Sequence, residues 1–134
     1  MTSKKDLFST LWIFLCFNYL YCDVMGLMDA NLLKQYLTGN VEGMEMNETF
    51  LFYAAILMEI PIVMVLLSKR LPRKANVWAN ILAGGIKTLA MVATLFVGTT
   101  TQYYLFFATI EIATSGIIVW YALKWLREKA PALA

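Results

Sequence analysis

A chain of 134 residues with a net charge of +2, 60% hydrophobic residues and only 15% charged ones is too apolar for an ordinary soluble domain. Its mean hydropathy of +0.65 points instead to one membrane-embedded domain. With no histidine and two cysteines, the chain offers neither bis-His haem ligation nor a His-based zinc site, so no cofactor or metal is expected.

A transmembrane helix needs about 20 mostly apolar residues. Four windows satisfy this: Leu7–Met28, Phe50–Ser68, Ala75–Val97 and Tyr103–Leu126. The expected fold is all-α, a membrane-embedded antiparallel four-helix bundle. Lys4 and Lys5 precede the first window as they would in a signal peptide, but the run is too long and lacks a small-x-small cleavage site. Nine of the eleven basic residues fall at one face: Lys4, Lys5, Lys69, Arg70, Arg73, Lys74, Lys124, Arg127 and Lys129. The opposite face carries Lys34 with Asp29, Glu42, Glu45 and Glu48. The positive-inside rule therefore places both termini in the cytoplasm. The basic clusters are short and juxtamembrane, so anionic lipid explains them and nucleic acid is not expected as a partner.

The first segment concentrates Asn18, Tyr19, Tyr21, Cys22 and Asp23 in its outer half. Tyr19 and Asp23, four apart, share a face on which a phenol can reach a carboxylate. Cys16 and Cys22 point to different faces of one helix and cannot form a disulfide while it holds. The connection 29–49 is long enough for a short interfacial helix: Asp29 can cap it, Leu32, Leu33, Tyr36 and Leu37 share its apolar side, and Gly39 can stop it. Such an element would brace or cover the bundle mouth. Asn47-Glu48-Thr49 matches a glycosylation acceptor, a weak three-residue signal.

The second segment places Glu59 at mid-depth and Pro61 two residues later, where the proline removes a helix hydrogen bond and a bend is expected beside the acid. In the third, Asn76, Asn80, Gly84, Lys87, Thr88 and Met91 recur at spacings of three and four, an inward-facing stripe. Gly84 and Gly85 suit a close helix contact there. The fourth brings Glu111, with Thr114 and Ser115 one turn below, and ends in Trp120, Lys124 and Trp125 at the interface.

Counting about 1.5 Å per residue puts Glu59, Lys87 and Glu111 in one layer near the midplane, with Asp23 about a turn nearer the outer face. A charge at that depth costs about 2.5–3.5 kcal/mol on insertion scales and normally faces a partner or a cavity. Three carboxylates and one ammonium sum to −2, so protons, a metal ion or a cationic ligand must make up the difference, with at least one carboxyl protonated in the empty pocket. The candidate ligand- or proton-binding residues are Glu59, Lys87, Glu111 and Asp23, supported by Tyr19, Asn18, Asn80, Thr88 and Ser115.

The segments LWIFLCFNYLYCDVMGLMD, ILMEIPIVMVLLSKRL, NVWANILAGGIKT and FFATIEI resemble an uncharacterised family of small bacterial four-span integral membrane proteins. The resemblance spans nearly the whole chain and implies architecture and location in a bacterial inner membrane, with no activity. In layout alone the chain is similar to small multidrug transporters, with their buried membrane glutamate, and to sterol-isomerase-like four-span bundles. These readings favour a proton-coupled carrier or binder of a small cationic or amphipathic solute over catalysis. The alternatives are a membrane enzyme or lipid-ligand receptor using buried carboxylates for acid–base chemistry, and a structural accessory subunit. The pocket of one protomer is small, which leaves room for a homodimer.

Overall fold

The computed structural model describes residues 3–129. Helix α1 spans Lys4–Met28, α2 Ala30–Thr38, α3 Glu48–Arg70, α4 Arg73–Thr94 and α5 Gln102–Arg127. Strands β1 (Asn40–Val41) and β2 (Met44–Glu45) form a hairpin between α2 and α3. The four long helices are each long and apolar enough to cross a membrane. The chain is thus an all-α, multi-pass membrane protein of the architecture expected.

Helix ends follow from local chemistry. Ser3, Asp29, Asn47 and Thr101 each accept a first-turn backbone N–H from α1, α2, α3 and α5 respectively. Gly39, at φ 73°, ends α2 in the left-handed conformation that glycine adopts without strain. Asn47 thus serves as a helix cap, its side chain 2.8 Å from the Phe50 N–H, which accounts for the acceptor-like tripeptide. Only Leu71 and Pro72 separate α3 from α4, so the basic stretch 69–74 between the second and third apolar windows is largely absorbed into helix.

In cross-section α1 packs on α3 and α5, and α4 packs on the same two, giving a square in the order α1, α3, α4, α5. The seam between α4 and α5 is the tightest, and Gly84 explains why: a Cβ built there would lie 2.7 Å from Val119 Cγ2. Gly85 has nothing within 4 Å of such a Cβ. Of the two glycines expected at a contact, one is there and its neighbour, about 100° further round the helix, faces open space.

One end of the bundle, carrying both described termini, is locked shut. Phe8 stacks on Trp125 with ring centroids 5.8 Å apart, and the Trp12 indole N–H donates to Asn80 Oδ1 at 2.7 Å. Asn80 donates on to Asn76, whose amide donates to the Ser68 carbonyl at 2.6 Å. Arg73 donates to the carbonyls of Trp125 and Glu128, satisfying the C-terminal turn of α5 that has no intrahelical donors. Lys4 hydrogen-bonds Glu128, which holds that exposed carboxyl below its usual range. The contact therefore persists at neutral pH and is lost as the pH falls through that lowered value.

The other end is a cap built from α2, the hairpin and the α4–α5 turn. Glu42 and Gly43 turn the hairpin with φ of 52° and 84°, the paired positive values of a type I′ turn. Glutamate gains nothing from that conformation, so its neighbours must hold it. Gln35 Oε1 accepts its N–H at 2.8 Å, Thr99 donates to its carboxylate at 3.2 Å, and Gly98 leaves room for its side chain.

Candidate functional site

At mid-bundle, α1, α4 and α5 bring together Tyr19, Lys87 and Glu111. Lys87 is 2% exposed and Glu111 1%, so both side chains lie inside the helix square. Lys87 Nζ sits 4.2 Å from the centroid of the Tyr19 ring and 3.7 Å from Met58 Sδ on α3. Among the described residues the ion pairs within 4 Å are Lys4–Glu128 and Lys69–Asp6, both at the surface, and Lys87 is in neither. The partner that a charge at this depth requires is, for Lys87, an aromatic face in place of a directly paired carboxylate. Such a contact is worth about 2 kcal/mol when desolvated. Burying an ammonium costs several kcal/mol, so these contacts alone do not account for its position.

Glu111 Oε1 and the Tyr19 hydroxyl are both buried without a hydrogen-bond partner. Buried polar groups are ordinarily satisfied. Here two of them, on adjacent helices beside a buried ammonium, keep unspent bonding capacity. Tyr19 therefore does not donate to Asp23, the partner suggested by their spacing. Asp23 lies one turn nearer the cap on that side of α1 and is exposed.

Glu59 does not join the cluster. It is exposed on the outward side of α3, whereas Pro61, Met64 and Ser68 form the buried face. Equal depth said nothing about direction: at about 100° per residue, the two positions separating Glu59 from Pro61 turn it to the opposite side. For the same reason the proline and the acid do not share a polar site, and α3 runs as one helix through Pro61. With Glu59 outside and Asp23 exposed, the buried centre holds one ammonium and one carboxyl, a formal sum of 0 in place of −2.

The supporting residues divide. Thr88 Oγ1 lies 2.8 Å from Ser115 Oγ and from the Gly84 carbonyl, and Ser115 donates to the Glu111 carbonyl at 2.9 Å. These hydroxyls join α4 to α5 directly beside Lys87 and Glu111 and fix their relative height. Asn80 lies about two turns away in the Trp12–Asn76 network and does not reach the cluster. Asn18 returns its amide to the Phe14 carbonyl of its own helix at 2.9 Å. Met58 is the contact that the spacing of charges could not reveal. Cys16 and Cys22 are free thiols.

A second feature lies at the cap. An open cavity of about 510 Å³ is enclosed by α2, the hairpin, the start of α3 and the α4–α5 turn, with Tyr36, Phe50, Tyr103 and Tyr104 among its walls. The Tyr103 hydroxyl donates to Asp29 Oδ2 at 3.3 Å, tying α5 to the α2 cap. Burial raises the Tyr36 phenol above its ordinary value, so it remains a neutral donor across the physiological range.

Fold and site together define a four-helix membrane protein with a charged, incompletely bonded centre. The chain belongs to a family of unknown function, DUF6326, whose model matches residues 1–132. That agrees with the uncharacterised family its segments resemble. No curated protein and no solved structure matches the chain.

Proposed function

We propose that the protein is a small proton-coupled carrier in a bacterial inner membrane, with both termini cytoplasmic, moving a monovalent cationic or amphipathic solute. The observation that carries this reading is the trio Tyr19, Lys87 and Glu111, buried and adjacent with two polar atoms unpartnered. Polar residues serving as glue between helices largely satisfy each other, as Trp12, Asn80 and Asn76 do at the locked end, where a single neutral hydroxyl, that of Ser68, is left over, whereas the centre leaves a carboxyl oxygen and a phenol beside an ammonium. The centre has one buried carboxyl, Glu111, which can hold one proton or face one positive group, and this makes a one-for-one exchange the natural stoichiometry. Glu111 is the proton site, Lys87 sets the local field, and Asp23 stands at the mouth.

Infrared difference spectroscopy of the protein in proteoliposomes tests this. Between pH 5 and 9 the wild type should show a carboxyl C=O band that disappears in Glu111→Gln. Identical spectra for the two proteins remove the proton-coupled reading. Tags at either terminus should also report the cytoplasmic side, since the basic asymmetry sets orientation.

A second reading, a subunit of a membrane assembly, is favoured by Glu59. A carboxylate on the outward face of a span must be neutralised or covered, and a second copy supplies an identical carboxyl with which a proton can be shared across a two-fold axis. In that case Glu59→Leu should convert a dimer to a monomer on light scattering in maltoside, while Glu59→Gln retains it. A monomeric wild type, or a Leu variant of unchanged mass, rules out this contact.

A further inference from the structure

The cavity at the cap belongs to neither reading, and its chemistry differs from that of the buried centre. Its volume of about 510 Å³ lies within the ~300–1,000 Å³ typical of small-molecule sites. Two carboxylates, Asp29 and Glu42, line it with no lysine or arginine, and two methionines contribute to its apolar surface. Each carboxylate accepts hydrogen bonds only from neutral donors: Asp29 from the α2 backbone and Tyr103, Glu42 from Thr99. Among the described residues neither is in an ion pair within 4 Å. Four aromatic rings, Tyr36, Phe50, Tyr103 and Tyr104, stand around them.

We infer that this cavity is a binding site for an organic cation with an apolar body, such as a substituted ammonium or phosphonium. An aromatic-lined pocket holding uncompensated carboxylates attracts a positive group through ring quadrupoles and charge together, while thioethers adapt to an apolar body of variable shape. An anion is repelled by both carboxylates, and a hydrated metal ion gains little from the rings. The placement of Glu42 agrees with this use. Its φ of 52° is one that asparagine or glycine occupies at less strain, yet the turn holds a carboxylate at the cavity wall. This site stands independently of the proton-linked centre.

The probe pair is tetraphenylphosphonium and tetraphenylborate, alike in size and apolar surface and opposite in charge, titrated calorimetrically into protein in maltoside micelles against protein-free micelles. Wild type should bind the cation and not the anion. Asp29→Asn keeps the helix cap and Glu42→Gln keeps an oxygen facing Thr99, so the double variant should fold. It should bind the cation about tenfold more weakly or worse. Tyr36→Leu, on an exposed part of α2, should weaken cation binding severalfold without depending on either carboxylate. Lys87→Met should leave cation binding at the cap unchanged, so failure here and failure of the proton-coupled reading are separable. Competition by dihexanoylphosphatidylcholine below its micellar concentration assigns the natural occupant to a lipid head group, and absence of competition assigns it to a free solute. Equal binding of the two probes, or cation binding unaltered in all the cap variants, overturns the assignment.

Discussion

Gly84→Leu will lower the melting temperature of the detergent-solubilised protein sharply, and Gly85→Leu will leave it near the wild-type value. A Cβ at Gly84 meets Val119 Cγ2 at 2.7 Å and the Ser115 carbonyl at 3.4 Å. Val119 is β-branched on a helix and has little rotameric freedom to retreat, while the carbonyl can move only if α5 moves. Overpacking of this kind costs typically about 1–3 kcal/mol, and a leucine belongs at or above the upper end. The damage reaches the site, because the Thr88–Ser115 hydroxyl contact that sets Lys87 against Glu111 lies on the same seam. At Gly85 a side chain enters open space, and replacing glycine in a helix removes a penalty of roughly 0.5–1 kcal/mol. Equal melting temperatures for the two variants would show that α4 meets α5 along a different face.

Much of this architecture is legible in the residues because a membrane enforces it. Four apolar windows must become helices since no other segment satisfies its backbone in hydrocarbon, and the Asn76-to-Met91 stripe emerges from period alone. The α2 helix was equally readable, with Asp29 starting it and Gly39 ending it. The centre was less so. Depth follows from counting, but azimuth needs a reference: depth alone puts Glu59 in the central layer, whereas its two-residue offset from Pro61 turns it to the opposite side. Helical spacing pairs Tyr19 with Asp23, yet its ring meets Lys87 across the bundle, a contact no local spacing encodes. Arg73 shows a related gap. Its charge reads as a topology signal, whereas its position also caps the carbonyls of α5. The cap cavity assembles from segments distant in sequence, so only folding brings its carboxylates and rings together.

On the carrier reading, Lys87→Met will give a protein at least as stable as the wild type that no longer exchanges protons for cations. Methionine matches the length of the lysine stem and can lie against Tyr19 and Met58 as Lys87 does. Because no carboxylate lies within 4 Å of Nζ among the described residues, the desolvation of the ammonium is not repaid by a direct pair. Replacing buried ionic groups by well-packed apolar ones is often neutral or stabilising by about 1–4 kcal/mol. If Lys87 were structural glue, the opposite would hold: the single variant would melt well below the wild type, and adding Glu111→Gln would restore it. On the carrier reading the single and double variants both fold, and both fail in transport, since the field that couples Glu111 to a positive ligand is gone. Gain of stability with loss of function is the signature expected where a strained polar centre is kept for its activity. Two measurements on the same preparations decide between them: thermal unfolding in detergent, and solute-driven proton flux in proteoliposomes. A destabilised Lys87→Met rescued by Glu111→Gln, or undiminished flux in either variant, would return Tyr19, Lys87 and Glu111 to the role of interhelical contacts.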